Sequence, residues 1–369
     1  MSSIFSPYLL GIHSLRNRIV MAPMTRARAL NLNPDSTTAL YYAQRASAGL
    51  IISEGLPISQ ESRGAVFIPG IYTHAQVKAW KGVTDAVHAE GGLIFAQLWH
   101  VGRASHVQHQ IGGQAPVSSV AKAANAQTFV LDENGAPSRT LQSQPRALRA
   151  DEMPRLIGDY VTAARNAMDA GFDGVEIHGA NGYLPEQFIN GALNDRNDQY
   201  GGSIANRLRL PLEIVDGIAS AIGAARTGIR LAPFGRFNDM HPFDDEAETW
   251  LTLAKDLSSR KLAYVHISDQ ETLGAQAIPD GFVQRFRDAY QGTLMVAGGY
   301  QLENGQAALD EGRADLIAIG RPFISNPDLV ERLRNGWPLN PGDMSTYYGG
   351  DARGYVDYPT YEASAVKGE

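Results

Sequence analysis

The sequence predicts an α/β protein built as a single closed (β/α)8 barrel of the TIM type, and three observations support this fold class. Short apolar runs rich in β-branched residues occur eight times, which is typical of strands buried on both faces of a parallel sheet. Segments with helical spacing separate them, so strands and helices alternate. Glycine-containing turns, Gly298–Gly299 and Gly320–Arg321, follow the seventh and eighth runs, where such barrels place a phosphate site.

The predicted strands and helices follow one another in a regular order along the chain. The strands are predicted at 18–24, 50–55, 93–100, 174–181, 228–235, 264–270, 294–300 and 316–322. The clearest helices are predicted at 74–90, 152–170, 205–222, 244–261 and 301–311. An open doubly wound sheet is the competing architecture, but it would normally carry G-x-G-x-x-G after its first strand. The chain reads TRARALNLN after Met24, which favours the closed barrel.

One long connection interrupts this pattern after the third strand, over residues 101–150. It contains Gly112–Gly113, the alternating segment TFVLDENGAPS and Pro145, which together predict an excursion with a hairpin turn. We expect it to form a lid beside the active face. The remaining chain predicts one domain over 1–369, with the C-terminal segment 340–369 lining part of that face.

Composition excludes several classes of function. The chain has 369 residues, of which 44% are hydrophobic, and its net charge is −7, so a general nucleic-acid or anionic-membrane partner is not expected. It has no cysteine, which excludes disulfides, thiolate metal sites and a cysteine nucleophile. Redox chemistry would therefore need a bound cofactor. The sequence shows no signal-peptide pattern and no apolar run of membrane-spanning length, so a cytoplasmic location is expected.

Polar residues at the ends of the predicted strands are the candidates for chemistry, because barrels of this type place their active sites there. Two facing carboxylates would indicate a glycosidase, but only Glu54 and Glu176 lie on the runs, and Glu176 is better interpreted as an interior ion-pair partner. The histidines are scattered without the spacing of metal ligands, so no metal site is predicted. The strand-end residues include Thr25, Gly55, Gln97, Trp99, His100, His178, Arg230 and Asp269.

The segment HGANGY carries the strongest local signal. His178 ends a strand, and Asn181 and Tyr183 follow in the next turn. His178 and Asn181 could each donate an N–H to one substrate oxygen and stabilise an enolate, while the Tyr183 phenol, protonated at neutral pH, could supply a proton. The alternative is that the histidine caps a loop, the asparagine fills a turn and the tyrosine packs. Three such residues together at a barrel rim favour a catalytic function.

Over essentially its whole length the chain resembles the Old Yellow Enzyme family of FMN-dependent ene-reductases. The resemblance is carried by seven motifs in the family's order. They are RIVMAPMTR (18–26), YYAQRASAGLIISEG (41–55), FAQLWHVGR (95–103), GFDGVEIHGANGYLPEQFIN (171–190), NDRNDQYGGSIANRLRLPLEIV (194–215), IAIGRPFISNPDL (317–329) and GYVDYPTY (354–361). Met24 stands where one subgroup of the family has cysteine, which favours the classical subgroup.

The resemblance implies tightly but non-covalently bound FMN across the barrel mouth, with NAD(P)H as the electron donor. Thr25 would donate to a flavin carbonyl, Gln97 would bind the flavin N–H and its adjacent carbonyl, and Arg230 would face the pyrimidine side of the ring. The phosphate would lie among backbone N–H groups and a guanidinium. The implied cofactor-binding residues are Pro23, Met24, Thr25, Gly55, Gln97, His178, Arg230, Gly298, Gly299, Gly320 and Arg321.

The resemblance also implies a reaction of two half-steps at one site. NAD(P)H reduces FMN and leaves, and an activated alkene, such as an α,β-unsaturated ketone or aldehyde, a maleimide or a nitroalkene, then receives hydride at its β-carbon and a proton from Tyr183. Trp99, Tyr347 and Tyr348 match positions that shape the substrate pocket, and the chain is expected to act as a monomer or homodimer. An alternative is a sensor that binds FMN or another ligand without useful turnover. Related FMN barrels acting on amines or dienoyl thioesters are disfavoured because they add cluster-binding cysteines and further domains.

Overall fold

Eight parallel strands close into a barrel in the computed structural model, which describes residues 3–361. The barrel confirms the predicted fold class, and each strand falls on one of the eight predicted runs. Most of the runs extend beyond the strand at its C-terminal end, because the polar residues there belong to loops. The barrel strands are β3 (Ile19–Met21), β4 (Leu50–Pro57), β5 (Ile94–Trp99), β10 (Gly174–Gly179), β11 (Thr227–Leu231), β12 (Tyr264–Ser268), β13 (Leu294–Ala297) and β14 (Leu316–Ile319).

Helices surround the barrel, and the five predicted ones are present as α2, α3, α5, α6 and α8. The sequence analysis missed five shorter helices, of four to eight residues, which are too short to show a clear helical period. The helices are α1 (Ser36–Ala43), α2 (His74–Ala89), α3 (Met153–Asp169), α4 (Leu184–Ile189), α5 (Ile204–Ile222), α6 (Glu246–Ser258), α7 (Phe282–Ala289), α8 (Leu302–Asp310), α9 (Pro322–Ser325) and α10 (Leu329–Asn335).

Two apolar layers hold the barrel together. The outer layer lies between strands and helices and includes the fully buried Trp80 and Trp250. The inner layer includes Phe95 and Met295 together with Leu10, which belongs to an N-terminal hairpin. That hairpin, formed by β1 (Tyr8–Leu10) and β2 (His13–Leu15), packs on the interior of the barrel, so the opposite, C-terminal rim is where polar groups can converge.

Strand register brings polar residues of neighbouring strands to the same level inside the barrel. Glu176 pairs with Gln97 on one side, and His178 pairs with Arg230 on the next strand. Arg230 in turn pairs with His266. Since parallel strands end at the same rim, this register gathers the predicted site residues from distant parts of the sequence.

The excursion after β5 contains the predicted hairpin, formed by β7 (Gln127–Leu131) and β8 (Pro137–Leu141). A second small pair, β6 (Val117–Ser118) and β9 (Arg146–Ala147), lies at its base. The Nε2 atom of Gln142 donates to Oδ1 of Asn238 over 3.1 Å, so the excursion contacts the loop after β11. Its function as a lid stays a prediction. No helix within residues 3–361 is long and apolar enough to cross a membrane.

Candidate active site

A cavity of about 740 Å³ opens at the C-terminal rim of the barrel. Every residue that the sequence analysis named as a catalytic, cofactor-binding or substrate-binding candidate lines it. Its size is within the range of small-molecule and cofactor sites. The predicted residues that line it are Pro23, Met24, Thr25, Gly55, Gln97, Trp99, His178, Asn181, Tyr183, Arg230, Gly298, Gly299, Gly320, Arg321, Tyr347 and Tyr348.

Three aromatic rings pack against one another on one wall of the cavity. The ring centroids of His178 and Tyr183 are 4.8 Å apart and those of Trp99 and Tyr183 are 5.1 Å apart, both in edge-to-face geometry. Such packing restricts side-chain rotation. The backbone of Gly55 lies against Trp99, and a Cβ added to Gly55 would be 2.8 Å from the indole ring. Glycine at this position therefore lets Trp99 lie flat on β4.

The turn that carries Asn181 and Tyr183 is held by buried polar contacts. Asn181 has a left-handed backbone, with φ of +60°, a conformation that asparagine tolerates better than most residues. The N–H of Gly182 donates to Glu186 Oε2 over 2.7 Å, and Asn238 Nδ2 donates to the carbonyl of Asn181 over 2.9 Å. Tyr183 then precedes the first turn of α4. These contacts fix the side chains of Asn181 and Tyr183 relative to His178.

Protonation states on this wall suit hydrogen-bond donation. Burial, followed by the positive charge of Arg230, lowers the pKa of His178 well below its ordinary value, so the imidazole is neutral at pH 7 and carries one N–H. Burial raises the pKa of Tyr183, so its phenol keeps its proton. A neutral imidazole and a protonated phenol are therefore available to one bound molecule.

A buried polar network lies beneath the cavity. Glu176 is fully buried, and its carboxylate accepts from Gln97 Nε2 and from His266 Nδ1, each over 2.8 Å. Arg230 donates through Nη2 to Ser268 Oγ over 2.8 Å. Because Gln97 gives its amide nitrogen to Glu176, its oxygen is left to accept from a molecule in the cavity.

The far end of the cavity is built from glycines and an arginine. Gly298 and Gly299 both have positive φ, of +117° and +75°, and a Cβ on Gly298 would lie 2.7 Å from the carbonyl oxygen of Asp269. Arg321 is exposed and donates to the carbonyl of Thr272 over 3.3 Å. A side chain at Gly298 would thus not fit, and the backbone stays accessible beside a guanidinium.

A strap from the C-terminal segment closes one side of the cavity with Tyr347 and Tyr348. The guanidinium of the buried Arg26 donates to the carbonyls of Tyr347, Thr346 and Gly354, over 2.9, 3.3 and 2.9 Å. Tyr348 is 65% exposed and so lies at the mouth. Residues 362–369 of the predicted lining segment lie outside the described residues.

Some cavity residues escaped the sequence analysis. Phe237 lies in the loop after β11, several residues beyond the end of that strand, and it is 45% exposed. Asp269, which the sequence analysis named at a strand end, uses its carboxylate to accept from the N–H groups of Glu271 and Ile278. In the part of the chain that the structure describes, no group of three or more acidic or histidine side chains could hold a metal ion. The missed lining residues include Phe237, Ser268, Thr272, Tyr300, Ile324 and Asn326.

Comparison with known proteins places this geometry in a family. The sequence model of the NADH:flavin oxidoreductase / NADH oxidase family matches residues 3–340. The chain is 43% identical to 12-oxophytodienoate reductase 1 of Oryza sativa subsp. japonica, covering 97% of this chain and 93% of that protein. Morphinone reductase in complex with tetrahydroNAD superimposes with a TM-score of 0.94 at 48% identity, covering 98% of each chain. The Old Yellow Enzyme homologue from Zymomonas mobilis superimposes with a TM-score of 0.92 at 42% identity, covering 97% of this chain and 99% of that chain.

Proposed function

The chain belongs to the NADH:flavin oxidoreductase / NADH oxidase family, which includes the Old Yellow Enzyme, and we propose that it reduces activated carbon–carbon double bonds. It is an NAD(P)H-dependent flavin oxidoreductase with FMN as its cofactor. The proposed substrates are α,β-unsaturated ketones and aldehydes, maleimides and nitroalkenes. One observation carries the proposal: two neutral hydrogen-bond donors and a protonated phenol converge on the cavity that also holds the predicted flavin-binding residues.

The residues of the cavity fit FMN on features of the structure itself. Gln97 presents an amide oxygen, because its nitrogen is engaged by Glu176, and Arg230 Nε has no hydrogen-bond partner within residues 3–361. Thr25 adds a hydroxyl donor on the same rim. We assign these three residues to the polar edge of the flavin ring, and Pro23, Met24 and Gly55 to contact with the ring itself.

The phosphate of FMN fits the far end of the cavity. Gly298, Gly299 and Gly320 offer backbone N–H groups without side chains in front of them, and Arg321 adds a guanidinium. Backbone N–H groups and arginine are the usual protein partners of a phosphate. When bound, FMN would supply the two-electron chemistry, which is hydride transfer from NAD(P)H to the alkene.

His178 and Asn181 bind the substrate oxygen. Each donates one N–H to it, which polarises the conjugated double bond and stabilises the negative charge that develops on the oxygen when hydride adds at the β-carbon. Tyr183 then donates its phenolic proton to the α-carbon, and solvent restores that proton. The alkene gains one hydride and one proton, and the nicotinamide donor loses two electrons.

Trp99, Tyr347 and Tyr348 form the apolar walls around the reacting atoms, and Phe237 extends them at the mouth. Exclusion of water by such walls strengthens the hydrogen bonds of His178 and Asn181 to the substrate. The names of the relatives, 12-oxophytodienoate reductase and morphinone reductase, each state the reduction of a ketone-bearing molecule, which supports an enone substrate.

Absorption spectroscopy of the purified protein tests the proposal. We expect visible flavin bands that bleach with NADPH under anaerobic conditions and return when 2-cyclohexenone is added. Tyr183→Phe should keep the bleaching step and slow the return by about 100-fold or more, since general-acid catalysis contributes about 10²–10⁴.

Tyr160→Phe is the matched control, because Tyr160 Oη on α3 is buried without a hydrogen-bond partner in the described residues, and removal of that hydroxyl should leave both steps unchanged. A wild-type protein that binds FMN and enone without reoxidation would support the sensor alternative and contradict the proposal.

A further inference from the structure

Gln270, just after β12, contacts the candidate substrate-binding Asn181 from outside the cavity. Its side chain is 2% exposed, and its Nε2 atom donates to Asn181 Oδ1 over 2.9 Å. No family motif quoted above contains Gln270, and the sequence analysis selected its neighbour Asp269 instead. This contact decides which end of the Asn181 amide faces the cavity.

Two backbone groups determine the orientation of the Gln270 amide. The N–H groups of Arg236 and Phe237 both point to the same side-chain atom of Gln270, over 2.8 and 3.1 Å. Only an oxygen can accept from two N–H donors, so the other end of the Gln270 amide is the NH₂. That NH₂ faces Asn181, whose contacting atom must therefore be its oxygen.

The oxygen of Asn181 is thus engaged, and its NH₂ remains for the cavity. Asn181 lines the cavity, and its Nδ2 has no protein acceptor among the residues that the structure describes. The site is also tightly built around Gln270, because a Cβ added to Gly235 would be 2.8 Å from Gln270 Nε2. Rotation of the Gln270 amide would place its NH₂ against two backbone N–H groups.

We propose that Gln270 is a positioning residue that fixes the Asn181 amide with its NH₂ toward the substrate, making Asn181 a hydrogen-bond donor to a carbonyl oxygen. This inference rests on the proposed function, since it assigns the means by which that site recognises an acceptor atom. The same two N–H groups belong to the loop that carries Phe237, so Gln270 also ties the Asn181 amide to the mouth of the cavity.

Gln270→Glu tests the proposal in the FMN-bound protein. Binding is compared at about pH 9, because burial raises the pKa of a carboxyl and a protonated one would donate to Asn181 as glutamine does. Once ionised, the new carboxylate still accepts from the N–H groups of Arg236 and Phe237, but its other oxygen needs a donor from Asn181. The Asn181 amide should rotate and present its oxygen to the cavity. Binding of cyclohexanone, which only accepts hydrogen bonds and is not reduced, should weaken by about 10- to 100-fold. Cyclohexanol, which can donate to the rotated oxygen, should weaken by about threefold or less.

The binding constants are measured by titration of the visible flavin spectrum, and the FMN dissociation constant is measured separately and should not change. Gln291→Glu, the same change at an exposed position before β13, is the control and should leave both ligands unaffected. Gln270→Met, which removes the amide without adding charge, serves if the glutamate variant does not fold. It should weaken cyclohexanone binding by about 3- to 10-fold relative to wild type, because the Asn181 amide is no longer held in one orientation; unchanged binding would overturn the assignment.

A double-mutant cycle with Asn181→Ala separates positioning from a general structural effect. Once Asn181 is alanine, Gln270→Glu should have no further effect on cyclohexanone binding. Additive losses, or a ketone-to-alcohol ratio that matches wild type, would overturn the assignment of Gln270 while leaving the proposed function intact. Failure of the wild type to reduce 2-cyclohexenone would instead contradict the proposed function, which makes the two failures distinguishable.

Discussion

Replacement of Glu176 by glutamine is expected to destabilise the barrel, although it changes only one atom of the side chain. Glu176 is fully buried and uses both carboxylate oxygens, one for Gln97 and one for His266. Glutamine has one oxygen, so one of the two donors loses its acceptor, at a cost of about 1–3 kcal/mol. The substitution also removes a negative charge near Arg230: burial lowers the pKa of this guanidinium, and the charge of Glu176 offsets part of that lowering.

We therefore expect the free energy of unfolding of Glu176→Gln to fall by about 1–3 kcal/mol in the FMN-free protein, which is the cost of leaving one buried donor without its acceptor. Urea denaturation followed by far-UV circular dichroism and tryptophan fluorescence measures it, by linear extrapolation.

Glu311→Gln is the matched control, since Glu311 pairs with Arg313 at an exposed position and exposed pairs contribute at most about 1 kcal/mol. A loss below about 1 kcal/mol for Glu176→Gln, equal to that of the control, would refute the reasoning, because it would mean that neither Arg230 nor the two donors depend on this carboxylate. The same variant should also bind FMN more weakly, because the Gln97 amide is no longer held with its oxygen toward the cavity.

Two further predictions concern Glu186 and Gly55. Burial raises the pKa of Glu186 to about 8, so the stability contributed by its neutral form is complete below about pH 4 and is lost as the pH rises through about 8. The free energy of unfolding of Glu186→Gln should therefore rise relative to that of wild type between about pH 5 and about pH 9, by up to about 1.4 kcal/mol per pH unit. A difference in thermal unfolding between the two proteins that does not change with pH would contradict this. Gly55→Ala should weaken FMN binding, because its Cβ would press on Trp99. Gly82→Ala on α2 is the control, since its Cβ would meet nothing within 4 Å, and it should leave FMN binding unchanged. Equal FMN dissociation constants for the two variants would rule the clash out.

The barrel was predictable because its strands are buried on both faces, so each one appears as an apolar run that needs no partner to be recognised. The cavity residues were predictable for a related reason: Gln97 and His178 interrupt or end such runs with polar groups. The short helices were not, since α1 depends on the cap of Asp35 rather than on a long apolar stripe. Phe237 was missed because its position depends on the path of a loop.

Which atom a side chain presents could not be read from the sequence, and this decides the chemistry of the site. Gln97 and Asn181 each carry an acceptor and a donor at opposite ends of an amide, so their residue types leave open whether they donate or accept in the cavity. Glu176 can only accept, which turns the oxygen of Gln97 to the cavity, and Gln270, with its own oxygen engaged by two backbone N–H groups, turns the NH₂ of Asn181 there. The acceptor for the flavin and the donor for the substrate are therefore fixed by Glu176 and Gln270, two buried residues that do not line the cavity. A substitution at Glu176 should therefore let Gln97 donate where it accepted, and a substitution at Gln270 should let Asn181 accept where it donated, although neither cavity residue is itself changed.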